Sequence, residues 1–186
     1  MVLCVDEKSQ IQALDRTQPG LPLKKGRAAT MTHDYKRHGT TTLFAALDVK
    51  SGKVIGDCMP RHRAKEFLKF LRQIAKAVPA RRDVHLDLDN YATHKTFELK
   101  GWLDKCPHFK LHLTLTSASW LSLVERFFAE ITTIRIRCGS YSSVNDLEVT
   151  IYGYLAHHNE VTKAVQVNQE CRAHHRGRAP RAPSAG

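Results

Sequence analysis

Apolar residues recur along this chain with two different periods, and the switches between them mark out its elements. Residues 2–6, Val-Leu-Cys-Val-Asp, are a short apolar run ending on a carboxylate and predict a buried strand. Residues 15–40 hold Pro19, Gly20, Pro22, Gly26 and Gly39 among many Lys and Arg, and predict a long basic loop or irregular insertion. Residues 40–49 are rich in strand formers; Ser51-Gly52 signals a turn, and Val54–Met59 reads as the partner strand of a hairpin. Phe67, Leu68, Leu71, Ile74, Ala75 and Val78 then share one helical face, which Pro79 ends. Val84–Leu88 is a further strand running into Asp89-Asn90. Thr96 can cap a short helix burying Leu99, Trp102 and Leu103, and Lys110–Thr114 alternates like a strand. Leu121–Ile136 predicts an amphipathic helix with Leu121, Val124, Phe128 and Ile131 on one face. Ser143 and Asp146 predict the capped start of a last helix that buries Val144, Leu147, Ile151, Tyr154 and Leu155.

Strands that alternate with helices in this order predict an α/β domain: a mixed five-stranded sheet flanked by helices, in the order of a ribonuclease H-like fold. The periodic pattern fails after about residue 160. The expected organisation is one domain over residues 1–160 and a basic tail over 161–186. That tail mixes Arg, His, Pro, Ala and Gly without periodicity and is expected to be disordered.

Composition narrows the function. No apolar run approaches the roughly 18 residues needed to cross a bilayer, and the first residues lack the basic start of a signal peptide. The five cysteines are odd in number and widely spaced, with no CxxC pair, so free thiols in a reducing cytoplasm are expected rather than a zinc site. The 29 Lys and Arg outweigh 18 Asp and Glu, for a formal charge of +11. Such a chain attracts polyanions, either nucleic acid or acidic surfaces.

Three carboxylates stand where such a fold gathers ligands. Asp6 ends the first predicted strand, Asp89 ends the fourth, and Glu125 lies early in the helix after the fifth. Carboxylates meeting in one crevice repel unless a cation intervenes, and hard oxygen donors suit Mg²⁺ or Mn²⁺. Two such ions, about 4 Å apart, activate water and stabilise the leaving oxygen in phosphodiester cleavage. The plainer reading is three solvated surface residues. Against it, Glu125 flanks an apolar helix stripe, and Asp89 opens a polar turn in which Asn90 and His94 could orient a carboxylate or a phosphate; His94 equally suits a helix start or the surface. Asp87 shares a strand face with Asp89, and an extra buried carboxylate is costly without a metal or solvent. Lys24, Lys25, Arg27, Lys36 and Arg37 form one basic cluster, Arg61, Arg63, Lys65, Lys69 and Arg72 a second, and Arg126, Arg135 and Arg137 flank the carboxylate helix. Each is a candidate DNA-phosphate contact or a solvated side chain, with Arg126 beside Glu125 the first choice. Trp120 and Tyr91 suit either base stacking or the core.

Longer motifs bring a resemblance. Leu3-Cys4-Val5-Asp6-Glu7-Lys8-Ser9, Leu88-Asp89-Asn90-Tyr91-Ala92-Thr93-His94-Lys95 and Thr116-Ser117-Ala118-Ser119-Trp120-Leu121 with Val124-Glu125-Arg126-Phe127-Phe128 resemble bacterial insertion-sequence transposases of the six-thirty family, allied to the mariner-like elements. Thr32–Thr40 looks like the same family, and the 35 residues between Asp89 and Glu125 are close to its usual spacing. The resemblance covers roughly residues 2–160. It implies a ribonuclease H-like core and a DDE triad of Asp6, Asp89 and Glu125, serving as both catalytic and metal-binding residues for two Mg²⁺ or Mn²⁺ ions. It implies hydrolysis at transposon ends, then attack of the freed 3′-hydroxyl on target DNA, usually at TA. The implied partners are double-stranded DNA, at transposon ends and target, and a second copy in a homodimer or larger synaptic complex. The implied place is the bacterial cytoplasm, at the nucleoid, with no membrane partner.

Departures from that pattern support a second expectation. Family members usually begin with helix-turn-helix domains, whereas this chain starts at the catalytic core. Leu115 stands where Pro is usual, Ser122 where Asn is usual, and Asp87 where an apolar residue is usual. The alternative is therefore a truncated, inactive remnant that only binds DNA or partner transposase. A generic nuclease for RNA–DNA hybrids is a third reading, which the Ser-Ala-Ser-Trp and Val-Glu-Arg-Phe-Phe motifs oppose.

Overall fold

The structure, a computed structural model, describes residues 1–16, 34–79, 82–89, 97–114 and 123–162; at Asp89 and Thr114 it describes the backbone only. The elements are β1 (Val2–Arg16), β2 (Tyr35–Asp48), β3 (Val54–Met59), α1 (Ala64–Ala77), β4 (Val84–Asp89), α2 (Phe97–Lys105), β5 (Phe109–Thr114), α3 (Leu123–Ile131) and α4 (Val144–Val161). A π-helical turn, Thr132–Ile136, follows α3. The sheet runs β3-β2-β1-β4-β5. β1, β2 and β3 pair antiparallel, while β4 pairs parallel to both β1 and β5. This is the mixed five-stranded sheet that the element order predicts.

Alternation along the strands divides the interior into two cores. Leu3, Val5, Phe44, Ala46, Leu86 and Leu88 face one side, under Phe67, Phe70, Leu71 and Ile74 of α1 and Leu99 of α2. Cys4, Ile11, Ala13, Leu43, Ala45 and Leu47 face the other, under Val124, Phe127, Phe128 and Ile131 of α3 and Leu147, Ile151, Tyr154 and Leu155 of α4. The faces expected for α1, α3 and α4 are largely the buried ones, with Leu68, Ala75 and Val144 only half-buried, Phe70 and Phe127 additions, and Leu121 outside the described residues. Trp102 and Leu103 are half-buried beside a fully buried Leu99. Ser143 caps α4: its hydroxyl accepts from the Asp146 N–H at 3.1 Å, and Asp146 Oδ2 accepts from the Ser142 N–H at 3.1 Å.

Three boundaries differ from those read in the sequence. β1 does not end at Asp6; it continues to Arg16 as a ribbon with β2, which itself begins at Tyr35 inside the expected loop. The parallel pairing of β1 with β4 does end at Val5↔Leu88. Beyond that point one edge of β1 is free of β4, so polar residues from Glu7 to Gln12 fit a strand and break the apolar run that marks its first part. The ribbon also carries a bulge, where the pairing steps from Lys8↔Leu43 to Ile11↔Thr41 and Gln10 takes φ +54°. Lys36 and Arg37 thus lie on a strand, not a loop. The third difference is the long helix expected over 121–136. α3 stops at Ile131, and the π-turn takes over where Thr132 and Thr133 donate their hydroxyls to the carbonyls of Phe128 (2.5 Å) and Ala129 (2.9 Å). Such bonds to the carbonyl four residues back compete with the regular ladder.

The expected tail boundary at residue 160 falls at the end of α4, whose C-cap is Thr162. Residues 163–186 lie outside the described residues.

Candidate active site

The site begins where β4 and β1 part. Val5↔Leu88 is the last parallel pair, so the next positions in register are Asp6 and residue 89. Neighbouring strands lie about 4.8 Å apart, which sets the scale of that separation. Asp6 is not at the end of its strand: it is the strand interior position at which β1 loses its parallel neighbour. On its other side it pairs with Ala45 of β2. Cys4 and Ala45 both belong to the core under α3 and α4, so alternation assigns Asp6 to that face. Its Oδ1 accepts the N–H of Glu7 at 2.8 Å.

Glu125 reaches the same face from above. It sits in the first turn of α3, half-buried, between the fully buried Val124 and the core residue Phe127. The N-terminus of α3 is fixed over β1 by Cys4, whose sulfur meets the backbone N–H of Leu123. Burial pushes the Cys4 thiol up to about 11, helped by the charge of Asp87, with the Leu123 N–H pulling the other way. The thiol therefore stays protonated, and it acts as packing between sheet and helix.

Two residues lower in the register lies a second row, Cys4, Asp87 and His112, on β1, β4 and β5. His112 Nε2 lies 2.8 Å from His85 Nδ1, with the two rings stacked at 5.1 Å between centroids. Burial raises the Asp87 carboxyl above its ordinary value, and the neighbouring His112 opposes that rise. Asp87 is thus accommodated by a half-open position and a histidine neighbour. The alternation of His85 and Asp87 along β4 is a sequence signal for this row; the pairing with His112 needs the strand order.

The other expected site residues fall into three groups. Arg126 is exposed on α3 beside Glu125. Lys36 and Arg37 are exposed at the far end of the ribbon, paired with Asp15 and Leu14. Arg37 is eight residues along β2 from Ala45, the partner of Asp6, or about 27 Å at strand rise, so the structure does not bring it to the carboxylates. Its guanidinium lies over the Tyr35 ring, 5.4 Å from the centroid. Asn90, His94, Lys24, Lys25 and Arg27 lie outside the described residues, as do Tyr91, Leu115, Trp120 and Ser122.

Among the described residues no three His, Cys, Asp or Glu side chains converge as metal ligands, a statement that does not reach the Asp89 side chain. The donor types at positions 6, 89 and 125 are all carboxylate oxygens, the set that suits a hard divalent cation.

A 3-2-1-4-5 mixed sheet with helices on both faces, and carboxylates at the divergence of its two central strands, defines a ribonuclease H-like domain. The chain belongs to the DDE superfamily endonucleases, whose family profile matches residues 1–148. Among solved structures, it is similar to a pre-cleavage Mos1 transpososome, with a TM-score of 0.62 at 16% identity over 83% of this chain and 48% of that one. A mariner Mos1 paired-end complex with Mg gives 0.62 at 14% identity, over 88% of this chain and 50% of that one. A simian T-cell lymphotropic virus intasome, in complex with the PP2A regulatory subunit B56 gamma, gives 0.58 at 17% identity over 100% of this chain and 58% of that one. At such identities the likeness is one of fold. The chain spans about half the length of the Mos1 chains it matches. No curated protein sequence matches it.

Proposed function

We propose that this is the catalytic domain of a cut-and-paste DNA transposase of the bacterial six-thirty type, working on DNA in the cytoplasm. The observation that carries the reading is the register that sets Asp6 beside position 89, with Glu125 delivered to the same face by α3. Asp6, Asp89 and Glu125 would hold two Mg²⁺ or Mn²⁺ ions, which when bound supply Lewis-acid activation of water and stabilise the leaving oxygen. The protein's own part is positioning. The Glu7 N–H fixes the Asp6 carboxylate, and the buried stripe of Val124, Phe127, Phe128 and Ile131 fixes the helix that bears Glu125. Arg126, exposed beside Glu125, would meet a phosphate in this reading.

The substrate in this reading is duplex DNA, cleaved at a transposon end and then joined through its 3′-hydroxyl to a target. The charge of +11 favours that polyanion. Solved relatives in fold include a Mos1 strand transfer complex and paired-end complexes with Mn and Mg, which supports a metal-using, paired assembly here. The test is thermal unfolding with and without Mn²⁺. Ligand that binds only the native state raises the melting temperature. The wild-type chain is expected to gain stability and Glu125→Gln to lose most of that gain. No Mn²⁺ shift in the wild type would leave a DNA-binding remnant as the better account.

A further inference from the structure

Beyond the carboxylates, the open edge of β1 borders a groove of about 600 Å³, to which the sequence contributes one expected candidate contact, Arg137. Its floor is β1 from Lys8 onward, and its wall is the segment of Ile136, Arg137 and Gly139 after α3. Lys8, Arg16 and Arg137 line it, and among the described residues no acidic one does. Two carboxylates of β1 flank the lining residues, Glu7 beside Lys8 and Asp15 beside Arg16, and Asp15 is held by His38 at 3.5 Å and the Ser140 hydroxyl at 3.1 Å. Arg16 donates through Nη2 to the Arg137 carbonyl at 3.1 Å, yet its buried Nε has no partner among the described residues. The far end is closed by the Tyr141 N–H on the Leu14 carbonyl and by Ser140 on the Arg16 N–H. Lys8 is two residues past Asp6 and before the bulge, so both share a strand face. The groove therefore starts at the carboxylate row.

We propose that this groove is a phosphate track, which holds one DNA strand as it leaves the carboxylates, with Lys8 the contact nearest the reacting phosphodiester and Arg16 and Arg137 the contacts farther out. The inference rests on the transposase reading and adds residues to it. From Lys8 to Arg16 the strand runs about 26 Å at strand rise, the length of about eight nucleotides at 3.4 Å each. A basic groove of that reach, with no carboxylate lining it among the described residues, suits the regular charge of a sugar–phosphate backbone better than a single anion.

The experiment is the salt dependence of binding to a fluorescently labelled 25-base-pair duplex, read by anisotropy, beside Mn²⁺-dependent nicking of the same duplex. Each phosphate contact contributes about 0.9 to the slope of log Kobs against log salt. The triple variant Lys8→Gln/Arg16→Gln/Arg137→Gln is expected to lose about 2–3 from that slope. A matched triple on the exposed sides of α1 and α2, Lys76→Gln/Lys100→Gln/Lys105→Gln, on the opposite face of the sheet, is expected to keep it. The Lys8 side chain makes no hydrogen bond or ion pair among the described residues, so Lys8→Gln alone, losing about 0.9, tests the track without touching folding. Unchanged slopes in the groove variants, or equal losses in both triples, overturn the proposal. If the wild type nicks DNA while the groove variants keep its slope, only the track is wrong; a wild type that neither binds nor nicks duplex removes the transposase reading and the track together.

Discussion

Asn159, near the end of α4, carries a prediction whose size follows from two distances. Its Oδ1 accepts the Val54 N–H at 2.7 Å and its Nδ2 donates to the Val54 carbonyl at 2.8 Å. Val54 opens the edge strand β3, so a side-chain amide here does what a sixth strand would do. The adjacent His158 meets the Gly52 carbonyl at 3.1 Å and the Phe127 ring edge-on at 5.1 Å. Together they tie the β2–β3 hairpin to α4, and α4 to the helix that bears Glu125. Replacing Asn159 by Ala removes two part-buried hydrogen bonds worth about 1 kcal/mol each, so the expected loss is about 2 kcal/mol. For a domain of this size that is a fall of about 4–8 °C in Tm. Asn159→Asp is the sharper variant. It keeps an acceptor for the Val54 N–H but sets a carboxylate oxygen against the Val54 carbonyl. It is expected to cost at least as much as Ala at neutral pH and to recover part of the loss when the acid protonates. Urea unfolding of the three proteins at pH 7 and pH 4 measures this. An Asn159→Asp variant within about 0.5 kcal/mol of wild type would refute the two-bond account.

Other consequences are equally specific. Ser143→Ala should destabilise by about 1 kcal/mol in denaturant unfolding, since it removes the α4 cap. The Asp87 carboxyl is raised in the folded protein, so the native state holds its proton more firmly and stability falls as pH rises from the unfolded carboxylate range through the folded value. Asp87→Asn should abolish that component and gain on wild type toward neutral pH; superimposable pH–stability curves would contradict it. Burial pushes Cys4 up to about 11 and Cys58 up to about 12, so iodoacetamide at pH 8 should spare both while modifying the exposed Cys138. Mass mapping that finds Cys4 alkylated in the folded protein would show that α3 does not cover it.

Much of the fold is legible because its elements face a core on one side. The α1, α3 and α4 stripes stand out at helical spacing, and the Ser143 cap is spelled out by Ser-x-x-Asp. What is not legible depends on neighbours. β1 beyond Asp6 has no parallel partner among the described residues and so loses the apolar run that announces its first part. The first residues of β2, Tyr35 to Thr40, form the outer ribbon, exposed apart from a half-buried His38, and their polar sequence reads as loop. The π-turn arises from hydroxyl–carbonyl bonds that periodicity does not register. At the site, Glu125 is visible early in its helix and Asp89 as a strand end, whereas Asp6 reads as a strand end because the apolar run stops there while β1 continues. The Asp87–His112–His85 row and the cationic groove are not, because both depend on which strands neighbour one another.

The central claim, three carboxylates acting as one metal-dependent cleavage site, is tested most directly by nicking of supercoiled plasmid in Mn²⁺. Wild type is compared with Asp6→Asn, Asp89→Asn and Glu125→Gln, each checked for unchanged unfolding in the absence of metal. The account predicts nicking by wild type that disappears with EDTA and in each of the three variants. Nicking that survives any one of these substitutions, or a folded wild type that never nicks, would contradict it.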